Sequence, residues 1–114
     1  MIITGSNVTI MVKDMDTSVA FYQSLGLSLK QRWQNYYAQL ESPGVVIGLH
    51  PAEAIPPSGS GSLSIGFTVE NIDEAKSLLQ RLSINASERN EEGGQFLHFT
   101  DPDKTALYFI KPKW

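Results

Sequence analysis

From residue 8 the chain alternates. Val8, Ile10 and Val12 fall on one side and Thr9 and Met11 on the other, the two-residue period of a strand with one buried face. The period then changes. Asp14 and Asp16 are residue types that cap a helix, and the stretch Thr17 to Leu25 follows them up to Gly26, which suits the left-handed residue that closes a helix. Three shorter strands are expected next, over Ser28 to Trp33, Tyr36 to Glu41 and Val45 to His50. The same order then returns. Ile65, Phe67 and Val69 alternate, Asn71 and Asp73 stand before a helix over Glu74 to Leu82, and strands are expected over Ala86 to Arg89, Gln95 to Thr100 and Thr105 to Lys111.

This return is a duplication at an offset of 57 residues, half of the 114-residue chain. Val12-Lys13-Asp14-Met15-Asp16 lies over Val69-Glu70-Asn71-Ile72-Asp73, and Phe21-Tyr22-Gln23-Ser24-Leu25 over Leu78-Leu79-Gln80-Arg81-Leu82. Within those two stretches Val12/Val69, Asp16/Asp73, Gln23/Gln80 and Leu25/Leu82 are identical. The fold class is therefore α+β, with two tandem βαβββ modules. The modules are expected over residues 1–50 and 63–114, together one structural domain. Residues 51–62, rich in Pro, Gly and Ser, join them as a linker that would let modules exchange between chains.

Composition narrows the function. Forty-one per cent of the chain is hydrophobic and 18% charged, as in a packed domain rather than a disordered one. Nine Lys and Arg against twelve Asp and Glu leave a net charge of -3, and no three basic residues adjoin, so nothing would neutralise a run of phosphates. There is no Cys, which removes disulfides, thiolate nucleophiles and Cys-bound zinc and agrees with a reducing cytoplasm. No positive charge precedes Lys13, and no window approaches the roughly 18 apolar residues of a membrane span. A cytoplasmic protein is expected, with neither nucleic acid nor membrane as partner.

Asp-Met-Asp-x-Ser-x-x-Phe-Tyr at positions 14 to 22, Leu25-Gly26-Leu27, and Phe-Thr-Asp-Pro-Asp at positions 99 to 103, set in two such modules, resemble the vicinal oxygen chelate superfamily. Its members include glyoxalase I, extradiol dioxygenases, fosfomycin-resistance enzymes and bleomycin-resistance proteins. One departure is Lys104, where a Gly commonly follows Asp-Pro-Asp. Asp101 and Asp103 themselves read as turn builders. The resemblance implies that each module forms half a cup, a curved mixed sheet with the helices outside, that two modules close around a small-molecule ligand, and that the chain is a homodimer, with module swapping as one of its forms.

Alternation assigns the faces independently. Asn7, Thr9, Met11, Tyr37, Gln39, Gly48 and His50 are expected toward the ligand in the first module, and Ser64, Gly66, Thr68, Phe96, His98 and Tyr108 in the second, with Thr9, Gly66 and Thr68 not counted among the ligand-binding residues; Trp33 has ambiguous parity and is included. Family enzymes set His or Glu on the first and last strand of each module to hold a divalent ion, and the resemblance carries those places onto Asn7, Gly48, Ser64 and Tyr108. None of the four is a convincing ligand, since an ion of this kind needs three or four anionic or imidazole groups. No metal and no cofactor are expected, which points to the metal-free, bleomycin-resistance-like branch.

The first reading is thus a metal-independent protein that sequesters an aromatic or cationic small molecule among Trp33, Tyr37, Phe96 and Tyr108. A second is a metal-free lyase, isomerase or hydrolase using His50, His98 or Tyr108 to carry protons. A third is a divalent-metal glyoxalase or dioxygenase, and a fourth is an interaction module, since fold does not fix function.

Overall fold

In the computed structural model, which describes residues 1–53 and 63–113, each module starts with a strand that ends at a helix cap. Asp14 is in extended backbone and its carboxylate accepts from the Thr17 N–H at 2.9 Å, opening α1 over Met15–Ser24. Asn71, 57 positions later, does the same for the Glu74 N–H at 3.1 Å and opens α2 over Ile72–Arg81. Asp16 and Asp73 belong to the first turns instead of capping, where a carboxylate suits the positive end of the helix dipole. Asp16 also meets Arg32 at 2.6 Å.

The helix ends repeat as well. Gly26 donates to Gln23 O at 3.0 Å and Leu27 to Tyr22 O at 3.1 Å; Ser83 donates to Gln80 O at 3.1 Å and Ile84 to Leu79 O at 2.9 Å. Both are the 5→2 and 6→1 pair of a Schellman ending. The residue with positive φ is Gly26 (φ 113) in one module and Ser83 (φ 58) in the other. A Cβ makes that region costly, by about 1–2 kcal/mol, so the second module carries a strain the first avoids.

The first module's strands are β1 (Val8–Val12), β2 (Ser28–Trp33), β3 (Tyr37–Ser42) and β4 (Val45–Pro51), in the sheet order β1-β4-β3-β2. The second module's are β5 (Ser64–Thr68), β6 (Ser87–Glu91), β7 (Gly94–Thr100) and β8 (Ala106–Pro112), ordered β5-β8-β7-β6. In each, the first strand runs parallel to the last and the other pairs are antiparallel. The expected elements are all present with ends moved by one or two residues. For example, β4 runs on to Pro51, opposite Val12, and the Ala52 N–H still reaches Val12 O at 2.9 Å. Most of the expected linker, 54–62, lies outside the described residues.

Two compact units result, Met1–Ile55 and Pro56–Trp114. In the first, α1 packs on one face of its sheet, its Met15, Val19 and Tyr22 buried on the side of Ala38, Leu40, Ile47 and Leu49, with Ile10 and Val12 buried in the adjoining β1. In the second, Ile72, Ala75 and Leu79 of α2 are buried on the side of Leu97, Phe99, Leu107 and Phe109 in the same way, with Ile65 buried in the adjoining β5. Val8, expected in the core, is 37% exposed at the strand's start. Repeat positions are not filled identically. Tyr22 is fully buried where the second module has the smaller Leu79, and beside Leu79 a hollow of about 110 Å³ opens, lined also by Ile84, Ala86 and Leu97 and rimmed by Lys76 and Glu88.

The Asp101 carboxylate is buried and accepts from the N–H groups of Asp103 (2.9 Å) and Thr105 (2.8 Å), which builds the turn into β8. Lys104 takes φ 73 in that turn, the torsion a Gly would adopt without strain. Among the described residues no helix is long and apolar enough to cross a membrane.

Candidate functional site

On each sheet the face away from its own helix carries the polar and aromatic residues. In the first module Thr9 pairs with Gly48, Gly48 with Gln39, and Gln39 with Gln31, so one row crosses all four strands. Met11 stands opposite His50 and Tyr37 opposite Trp33 in the neighbouring row. Directly opposed residues share a face, so these side chains stand together.

Trp33 reaches this face through a bulge. Leu29 pairs with Leu40, on the helix side, but two residues later Gln31 already pairs with Gln39, on the other side. One extra residue in β2 flips the parity, and Trp33 then stacks on Tyr37 with centroids 5.7 Å apart and planes at 24°.

Gly48 is buried because Tyr37 lies over it. A Cβ at position 48 would collide with the Tyr37 hydroxyl and come within 2.7 Å of Thr9 Oγ1. A strand glycine often marks such a close approach. The hydroxyl it admits is the centre of a polar cluster. Asn7 Nδ2 and Gln39 Nε2 each donate to Tyr37 Oη at 3.2 Å, Asn7 Nδ2 also donates to Thr9 Oγ1 at 3.0 Å, and the Thr9 and Tyr37 hydroxyls are 3.4 Å apart.

The second module uses the same device with the partners exchanged. Here the glycine, Gly66, is on the first strand, and the tyrosine across it, Tyr108, is on the last; a Cβ at 66 would meet that ring directly. Tyr108 belongs to a ring cluster. Phe96 and His98 are stacked at 5.7 Å and 10°, and Tyr108 is tilted against Phe96 at 6.0 Å and against His98 at 5.7 Å. His98 is exposed, the other two half-buried. Across β6, Arg89 stands opposite Phe96 and Ser87 opposite His98.

A family model with the description Glyoxalase/Bleomycin resistance protein/Dioxygenase superfamily matches residues 6–109. The chain belongs to this superfamily. Solved structures of the same fold include a bleomycin-binding protein complexed with bleomycin, at 19% identity and TM-score 0.76, covering 97% of this chain and 100% of that one. A genomically encoded fosfomycin resistance protein from Listeria monocytogenes is similar at 20% identity and TM-score 0.82, over 99% and 96% of the two chains. An antibiotic-binding protein from Streptomyces sp. CB03234 is similar at 21% identity and TM-score 0.76, over 99% of each chain. No curated protein matches the sequence.

The superfamily's ion-binding places can be tested against this chain's own atoms. Asn7 spends its amide N–H groups on Thr9 and Tyr37, Gly48 has no side chain, and the room a ligand at 48 would need is filled by the Tyr37 hydroxyl. Ser64 is exposed at the start of β5, and Tyr108 is packed among rings. Among the described residues no three His, Cys, Asp or Glu side chains gather as ion ligands do. These neutral donors do not fit a divalent ion, which is held by carboxylates, imidazoles or thiolates.

Of the expected site residues, the first module brings Asn7, Tyr37, Gln39, Gly48 and Trp33 into one patch, with Met11 and His50 exposed side by side next to it. The second brings Phe96, His98 and Tyr108 together and leaves Ser64 apart, opposite Ala106. Alternation put Thr9 on this face without making it a binding residue, although it completes the polar cluster, and it missed Arg89 and Ser87, whose strand is too polar to show its register. Gly66, also placed on this face by alternation, carried a further signal of close approach: a glycine in mid-strand. The groups with displaced ionisation stand elsewhere. The Thr17 N–H holds the Asp14 carboxyl below its usual range, and Glu88 raises Lys76.

Proposed function

We propose that this superfamily member is a metal-independent protein that binds a small aromatic or cationic molecule against its ring-bearing faces and acts by sequestration, as a cytoplasmic homodimer. The observation that carries this reading is the cluster of Phe96, His98 and Tyr108, three rings in mutual contact with His98 exposed. Rings left on a surface in this way offer stacking and cation–π contacts of about 0.5–2 kcal/mol each. The neutral donors at the superfamily's ion positions support independence from metal, since sequestration needs affinity and no Lewis acid. Relatives of the same fold that bind bleomycin or another antibiotic support the class of ligand.

A native mass spectrum of protein purified without added metal or chelator tests this reading. A dimer free of metal that gains the mass of bleomycin, or that already holds an organic adduct, is the expected result. A stoichiometric divalent ion would overturn it and place a metalloenzyme first.

The contact of His98 with Tyr108, centroids 5.7 Å apart, favours one second reading, a metal-free lyase, isomerase or hydrolase with His98, Tyr108 or His50 as proton carriers. In that case His98→Ala abolishes turnover and leaves assembly intact; unchanged turnover rejects it.

A further inference from the structure

The polar cluster over Gly48 has a donor count that selects among ligands. A phenol oxygen has two lone pairs, and Asn7 and Gln39 occupy both of those on Tyr37. The 3.4 Å contact between the Tyr37 and Thr9 hydroxyls takes the proton of one of them, with either as donor. That is long for a hydroxyl pair, which prefers about 2.7–2.8 Å. Thr9 Oγ1 also accepts from Asn7, and whichever hydroxyl donates in the shared contact, the proton of the other is left for an incoming acceptor. Two hydroxyl protons thus stand on an exposed patch, one weakly held and one unplaced. The two amides keep the phenol oxygen saturated, so what the patch has to offer from its centre is donation.

We infer that Tyr37 and Thr9 form a subsite for a carbonyl-type oxygen, the carboxylate or amide oxygen of a planar ligand whose ring lies along the Trp33–Tyr37 stack. This rests on the binding reading above and narrows it: an oxygen acceptor is preferred here over an ammonium group, which brings only donors. Gly48 is a positioning residue in this scheme. Its missing Cβ is what lets the phenol sink to the level of Thr9 and Gln39.

Three probes of one ring system separate the possibilities: 2-naphthoate, 2-naphthamide and 2-naphthylmethylammonium, titrated into the full chain by amide NMR. The naphthoate and the naphthamide are expected to shift the Gly48 and Thr9 amides and to bind about tenfold more tightly than the ammonium. Tyr37→Phe, which keeps the ring over Gly48, is expected to level the three affinities, and Gly48→Ala, which displaces the hydroxyl, to do the same. An ammonium bound as well or better, or a preference that survives Tyr37→Phe, overturns the subsite and leaves the binding reading standing. No binding of any probe to either module overturns both.

Discussion

The two modules share a backbone plan and differ in how each open face is filled. Thr9 pairs with Gly48 in the first, Gly66 with Tyr108 in the second, so the glycine has moved from the last strand to the first. A tyrosine covers the glycine both times, but Tyr37 comes from β3 and turns its hydroxyl into a polar cluster, while Tyr108 comes from the paired strand itself and joins two more rings. The helix-covered faces kept their apolar alternation, because a polar residue there would be buried without a partner. The open faces had no such constraint. A duplicated fold can therefore hold one core design and two different surface chemistries.

The largest expected effect tests the shared core. Tyr22→Ala removes a fully buried ring and should cost about 3–5 kcal/mol in denaturant unfolding, more than Leu79→Ala at the matching position, which already borders a hollow. Equal losses would mean that the hollow has no energetic counterpart.

Next comes the exchanged glycine. Gly66→Ala forces the Tyr108 ring away from Phe96 and His98, at about 1–3 kcal/mol, whereas Gly48→Ala meets the hydroxyl ends of Tyr37 and Thr9, which can rotate aside, and should cost less. Unfolding curves of the two variants, with His98 ring resonances as a local reading, would show the order; the reverse order would contradict the face assignment.

The helix ends differ by less. Ser83→Gly should stabilise the second module by a few tenths to about 1 kcal/mol, and Gly26→Ser should destabilise the first by about 1 kcal/mol. Ser18→Ala, in α1, should also stabilise slightly, by about 1 kcal/mol, because the Ser18 hydroxyl is buried with no partner among the described residues and its repeat position is already Ala75. A loss of stability in Ser18→Ala would show that the hydroxyl is satisfied in solution.

The smallest effect is the pH response of the caps. Asp14 has its pKa lowered from 3.8 by the Thr17 N–H, so its contribution is whole above 3.8, where the unfolded chain is also ionised, and is lost as pH falls through the lower folded value. Asn71 caps α2 without an ionisable group. Acidification should therefore speed hydrogen exchange, relative to its intrinsic rate, at the Thr17 amide and not at the Glu74 amide. Asp14→Asn should remove the difference, and equal responses in the unmodified protein would sink the account.

Much of the fold was legible because its signals are local. A cap and the N–H it accepts are three residues apart at both Asp14 and Asn71, and strand faces alternate with period two, so element order, core faces and the duplication can all be read along the chain. Trp33 was not legible: one inserted residue between Leu29 and Gln31 reverses parity without altering composition. The polar β6, Ser87 to Glu91, is exposed throughout and has no hydrophobic pattern from which register could be drawn.

The sequence by itself determined the two βαβββ modules, their caps and the buried side of each sheet, since those depend on spacings of two to four residues and on burying apolar area. Only the tertiary structure decided which side chains meet on the other side. Asn7 and Tyr37 are 30 residues apart in the chain and Thr9 and Tyr37 are 28 apart, joined by strand register, so the polar cluster over Gly48 and the ring cluster beside Gly66 exist only once the strands have paired.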